Sequence, residues 1–319
     1  MSKKKILITY ALPMFVLQFI SYFPLYILYI FHPYFVELVT PEALNIFNWY
    51  LKLYLLLGVP YFFVNGSLAP KEIAKFKSLK KSLFQIYTHR RIDETARVHL
   101  FKIVVKGFYA PLMLNFAFSH AYQVRKLLPF VFSSRPSFDT VNQLLLNTIF
   151  LIDTSIFAFG YLVETHWLKN SIKSVEPTLF GWVAALITYP PYNWISNIFL
   201  PFIKIDPLPL PSAVTIILQV VILLCYTLYA WATVALLFKA SNLTNRGIVT
   251  AGPYRYLRHP AYIGKNIAWW LETLPYLNHP LNFVSLLGYN LIYYLRAITE
   301  ERHLARDPSY GKYKKTTRF

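Results

Sequence analysis

The chain has 319 residues, of which 56% are hydrophobic, 18% aromatic and only 14% charged, with a formal net charge of +18. A soluble domain carries about 25% charged residues, so this composition excludes an ordinary water-soluble enzyme and predicts an all-α, polytopic transmembrane helical bundle. The apolar runs are continuous rather than alternating, which excludes a strand barrel, and Cys225 as sole cysteine excludes an intramolecular disulfide.

About eight segments are apolar enough to count as spans: residues 6–30, 44–64, 101–122, 141–163, 179–199, 213–238, 262–278 and 281–295. Lys3, Lys4 and Lys5 precede the first, which is too long for a signal-peptide core and lacks a small-residue cleavage site, so it is expected to remain in the protein. The loop at 65–100 is basic, and within it residues 71–87 place Ile73, Phe76, Leu83, Phe84 and Tyr87 near one helical face. That pattern suits a helix in the headgroup layer; a solvated basic loop is the plainer alternative. Lys239, Arg246, Arg255 and Arg258 follow the sixth span, and Arg302, Arg306, Lys312, Lys314, Lys315 and Arg318 fill the tail. These clusters fall on one side of the membrane, predicting that both termini face the cytoplasm. Arg125, Lys126 and Arg135, in a loop expected on the opposite side, do not fit cleanly. The positive charge thus suits anionic lipid, with no nucleic-acid partner implied.

Polar interruptions mark where chemistry can sit. Asp153 lies in the fourth span, and Pro190-Pro191 with Asn193 should break the fifth and open a cavity. Pro207, Pro209 and Pro211 mark an extended turn before the sixth. Gly252-Pro253 forces a turn, and Pro260 suits the first turn of the seventh span, whose unpaired N–H groups attract an anionic group. Lys265 and Glu272 lie two turns apart on one face of that span and should face the bundle interior. Tyr289, Tyr293, Arg296 and Glu300 are spaced four, three and four apart, one stripe of the last span. An ordinary loop entering a membrane helix, and an i,i+4 ion pair at a helix end, are the structural alternatives. The chain has no Gly-x-Gly fingerprint, no nucleophile elbow and no metal-ligand spacing of His and Cys, so no metal is expected.

Taken in order, Gly252-Pro253-Tyr254, then Arg258-His259-Pro260-x-Tyr262-x-Gly264, then a hairpin, then Arg296 with Glu300-Glu301, resembles the isoprenylcysteine carboxyl methyltransferases and is similar to the related membrane phospholipid methyltransferases. The resemblance covers about the last quarter of the chain. It implies a pocket for S-adenosyl-L-methionine at the cytoplasmic face. Arg246, Gly247, Ile248 and Val249 match the family's cofactor loop, Tyr254, His259, Pro260, Ala261 and Tyr262 its next cofactor contacts, and Glu300 or Glu301 its cofactor-binding carboxylate. Arg296 matches the substrate arginine, so Arg296 and Glu300 are the expected catalytic pair. The resemblance further implies a multi-pass membrane enzyme with a lipophilic or lipidated acceptor drawn from membrane lipid. It divides the chain into a transmembrane region, 1–212, of unassigned role and a methyltransferase-like membrane domain, 213–319. A carboxylate acceptor is slightly favoured by Arg296. An amine N-methyltransferase, a sterol-reductase-type enzyme using NADPH, and a transporter or scaffold remain as alternatives.

Overall fold

A computed structural model describes residues 8, 11–31, 40–64, 94–132, 136–165 and 167–317 of the chain. Residues 1–5, the basic stretch 71–87, Arg135 and Arg318 lie outside these. Among the described residues the protein is mostly helical, 76% helix with almost no sheet. Its chain packs as two compact units, Met1–Asn115 and Phe116–Phe319.

In the first unit α1 (Leu12–Phe31) lies against α2 (Pro41–Val64) around Ala11, Met14 and Phe62. Phe15 stacks on Tyr54 with ring centroids 5.1 Å apart, and the Tyr54 hydroxyl donates to the Phe15 carbonyl at 2.7 Å. The next helix, α3 (Glu94–Val131), contains the boundary between the units. It continues well past residue 122, so Arg125 and Lys126 are helical rather than in a loop. Nothing between Phe116 and Phe132 breaks a helix except Pro129, and that proline is already in the last turn.

The second unit holds α4 (Phe138–Leu162), α5 (Leu179–Leu186), α6 (Asn193–Phe199), α7 (Ser212–Leu236), α8 (Pro260–Thr273), α9 (Pro280–Leu304) and α10 (Pro308–Thr316). Ser137 caps α4, its hydroxyl accepting from the Thr140 amide at 3.1 Å. The single span expected at 179–199 is instead α5 and α6, of eight and seven residues. Pro190-Pro191 removes two amide donors and interrupts the helix there. Among the described residues four helical segments are long and apolar enough to cross a membrane: Pro41–Val64, Leu100–Val131, Phe138–Leu162 and Ser212–Lys239. The hairpin expected at 262–278 and 281–295 forms as α8, of 14 residues, and α9, of 25 residues.

The packing of α7 on α8 explains part of the sequence motif. Ile222, Tyr226 and Ala268 form the buried seam, with Leu146, Ile149 and Phe150 packed against it. A Cβ on Gly264 would lie 2.6 Å from the Cys225 carbonyl oxygen, so the two backbones approach too closely for any side chain there. Of the two charges of the seventh span, Lys265 turns in among aromatic rings, whereas Glu272 reaches Tyr226 but stays exposed, so the inward placement expected for it is not what the structure shows. Glu272 accepts a hydrogen bond from the Tyr226 hydroxyl at 3.1 Å, and the Lys265 ammonium lies over the Tyr229, Trp269 and Tyr293 rings at 5.1–5.7 Å. Asp153, buried in α4, accepts from Tyr229 at 2.7 Å and Thr233 at 2.5 Å. Lys265, Glu272 and Asp153 thus each find partners on neighbouring helices.

Candidate active site

Where α7 ends, the chain turns through Leu237–Lys239 into a two-residue strand, β2 (Thr244–Asn245), which pairs antiparallel with β1 (Ser174–Val175). That pairing ties the 163–178 segment to the loop after α7. Gly252, at φ +58°, opens a tight turn through Arg255, a backbone region that suits glycine. The Tyr256 and Leu257 amides both donate to the Pro253 carbonyl at 3.1 Å. His259 then stands just before α8, and Pro260 fills its first position.

These elements and the last turns of α9 line a cavity with about 1000 Å³ of empty space, open solvent at its mouth included. Its wall divides along α9. On one part, Lys265, Tyr229, Tyr293 and Arg296 meet Tyr189 from the turn before α6. The Arg296 guanidinium lies over Tyr293, Tyr262 and Tyr189 at 4.9, 5.5 and 5.6 Å from their centroids. It also donates to the Thr188 hydroxyl at 3.3 Å and the Asn242 side-chain oxygen at 3.2 Å. One helical turn on, about 6 Å along the axis, the Tyr262 hydroxyl donates to Glu300 Oε2 at 2.9 Å. The Tyr262 ring stacks on His259 with centroids 5.4 Å apart and planes 6° from parallel.

The C-terminal helix fastens this end of the chamber. Glu301 Oε1 accepts from Arg258 at 2.6 Å and His259 at 3.2 Å, and Oε2 from Lys314 at 2.8 Å. Arg258 also donates to the Thr317 carbonyl at 2.7 Å, and the Tyr313 hydroxyl to the Tyr254 carbonyl at 2.9 Å. Asp307 caps α10 and takes hydrogen bonds from Lys173 at 3.0 Å and Asn245 at 3.3 Å.

Part of the chain that builds this chamber is similar to a known family. Residues 213–306 match the family model of the isoprenylcysteine carboxyl methyltransferase (ICMT) family. The ICMT-like region begins at the start of α7 and ends just after α9, so it carries most of the chamber. With the apolar helices, it marks the chain as an integral membrane protein of methyltransferase type. No curated protein and no solved structure matches the chain.

The ICMT-like chamber gathers some predicted site residues and leaves others behind it. Tyr254, His259, Ala261, Tyr262, Arg296 and Glu300 line the wall. Pro260 is buried at the start of α8. Arg246 is also buried, donating to Ser241 at 3.0 Å and the Asn170 carbonyl at 2.8 Å, so it braces the loop. Gly247, Ile248 and Val249 follow it and are not among the described lining residues, nor is Glu301. The wall also uses residues outside the matched region, among them Glu176, Gly181 and Tyr189. Sequence reasoning missed Glu176 and Tyr189 because they sit on irregular backbone with no periodicity, and Gly181 because α5 is too short to show one; the Pro190-Pro191 break was the one available signal.

Electrostatics fit the division between wall and brace. Burial pushes the Glu301 carboxyl up, but Lys314, Arg258 and His259 together hold it below its usual range. Burial holds the His303 imidazole below its usual value, despite Glu176 and Glu300 nearby, and His303 shares a 2.9 Å hydrogen bond with Ser174. Hydrogen bonding by Ser309, with Lys173 and Asn245, holds Asp307 well below the carboxylate range. Burial, reinforced by Glu300, raises the Tyr254 phenol well above normal, and burial pushes Tyr313 up to about 12.

Proposed function

We propose that the protein transfers a methyl group from S-adenosyl-L-methionine to a carboxylate on a lipophilic acceptor that enters from the bilayer. The observation that carries this is the chamber wall itself, with Lys265 and Arg296 among tyrosine rings and the Glu300 carboxylate one helical turn on. The donor set fits the cofactor. A carboxylate such as Glu300 accepts hydrogen bonds from a ribose diol, tyrosine faces attract a sulfonium, and the first turn of α8, at Ala261 and Tyr262, suits a carboxylate. Glu300 rather than Glu301 is assigned this role, because Glu301 is engaged by Arg258, His259 and Lys314. Tyr254, His259, Ala261 and Tyr262 complete the cofactor wall, while Arg246 to Val249 and Pro260 shape the loop and helix start behind it.

Bound S-adenosyl-L-methionine supplies an electrophilic methyl group on a sulfonium sulfur. Arg296 holds the acceptor carboxylate, with Lys265 adding positive charge close by. A carboxylate is already ionised near neutral pH, so these residues need only orient it in line and keep water out. An amine acceptor would sit beside two cations and would want a base, which disfavours N-methylation. A nicotinamide reductase would need basic residues open to a 2′-phosphate. Arg246 is directed to Ser241 and Asn170, and Arg258 to Glu301 and Thr317, which leaves the exposed Arg255 as the candidate for that phosphate. The methyltransferase unit is 213–319, completed by wall residues from 163–192, in a membrane helical bundle with termini and chamber mouth on the cytoplasmic side.

Membranes containing the protein, given methyl-labelled cofactor, should place label in the lipid fraction that mild base releases as methanol. Base-stable label would instead indicate an N-methyl product. Binding of NADP(H) but not S-adenosylhomocysteine by the purified protein would reverse the assignment in favour of a reductase.

A further inference from the structure

One acidic residue of the chamber wall lies outside the ICMT-like region. Glu176 follows β1 and is only 2% exposed. Its backbone is fixed on both sides: its amide donates to the Leu243 carbonyl at 2.8 Å, and its carbonyl accepts from the Trp182 indole at 2.8 Å. Gly181, also on the wall, makes room for the side chain, since a Cβ there would lie 2.4 Å from Glu176 Cγ. Oε1 is well used. It accepts from the Thr178 amide at 3.0 Å, from the Thr178 hydroxyl and from Arg302 at 3.1 Å. Oε2 is buried and has no hydrogen-bond partner among the described residues.

A buried carboxylate oxygen without a donor is unfavourable. A purely structural role, starting α5 and pairing with Arg302, employs Oε1 alone and leaves Oε2 unexplained. Both carboxylates of the wall lie toward the last turns of α9, where Glu176 reaches Arg302, Glu300 reaches Tyr262, and the wall's Arg258 is engaged by Glu301 behind it, whereas Lys265 and Arg296 sit among tyrosine rings. The carboxylate end therefore suits the cationic portion of a ligand.

Resting on the S-adenosyl-L-methionine reading above, we propose that Glu176 binds the α-ammonium group at the amino-acid end of the cofactor. With the ribose assigned to Glu300, the ammonium is the remaining charged hydrogen-bond donor of that molecule. An ammonium hydrogen bond supplies the donor that Oε2 lacks and places positive charge at the acidic end of the wall. The half-exposed Arg302 side chain competes for the same carboxylate.

Calorimetry on the purified full-length protein tests this with three ligands. These are S-adenosylhomocysteine, its decarboxylated analogue, which keeps the ammonium, and 5′-methylthioadenosine, which lacks the amino-acid end. Glu176→Gln should weaken the first two by about tenfold to a hundredfold and leave methylthioadenosine within twofold. Arg302→Gln removes the same ion pair but keeps the carboxylate, so it should leave the first two ligands as tight or tighter. Equal weakening of all three ligands by Glu176→Gln, equal weakening of the homocysteine compound by both variants, or no effect of Glu176→Gln would overturn the assignment. Wild-type protein that binds none of the three would overturn the cofactor reading itself, an outcome distinct from tight wild-type binding that Glu176→Gln leaves intact.

Discussion

Replacing Glu301 with glutamine should loosen the C-terminal helix from the chamber. The Glu301 and Arg258 side chains are 9% and 12% exposed. Removing one member of a buried ion pair costs about 3–5 kcal/mol, because the remaining charge is left uncompensated. Glutamine keeps one acceptor oxygen for Arg258, so the lower figure applies, about 3 kcal/mol or about a hundredfold in the opening equilibrium. Lys314 is 53% exposed, and an exposed pair contributes about 0–1 kcal/mol. Lys314→Gln should therefore change opening less than about fivefold. Hydrogen exchange of residues 308–317 in detergent-purified protein reads both. Similar exchange rates in the two variants, or unchanged protection in Glu301→Gln, would refute the view that Arg258, fixed in place by Glu301, holds the end of α10 through the Thr317 carbonyl.

Two further outcomes follow from the same geometry. Arg296→Ala should abolish acceptor methylation while leaving S-adenosylhomocysteine affinity within a few-fold; equal loss of both, read by labelled transfer and calorimetry, would assign Arg296 to the cofactor. Acid should destabilise the closed chamber. Glu301 and Asp307 have folded values below their unfolded ones, so their contribution is complete above about pH 4.5 and is lost as pH falls through the folded values. His303, also lowered, resists a proton that the unfolded chain takes up, so stability starts to fall below about pH 6.5. A thermal midpoint that rises on acidification from pH 7 to pH 5 would contradict these signs.

The legible parts of this protein were those in which regular spacing carries polar groups through apolar helices. Tyr293, Arg296 and Glu300 share a helical stripe in the sequence, and the first two meet around Tyr262 in the structure while Glu300 accepts its hydroxyl. Lys265 could be turned inward on the cost of facing lipid alone, whereas Glu272 stays exposed. Gly264 was visible as a motif residue, but its reason, the approach of the Cys225 carbonyl, needed three dimensions. Glu176, Tyr189 and Asn242 reach the chamber from irregular backbone, where no period marks a buried side. The tail was read only as positive charge, yet Lys314 and Tyr313 make specific contacts with Glu301 and the Tyr254 carbonyl. Composition cannot separate a retained basic tail from one that closes a chamber.

The most direct test of the central claim is an experimentally determined structure of the protein with S-adenosylhomocysteine. The account predicts the ligand in the chamber between the start of α8 and the last turns of α9, with its ribose within hydrogen-bond distance of Glu300 and its sulfur facing Arg296. Ligand bound at any other place on the protein, or a chamber filled by side chains when the ligand is present, would contradict it.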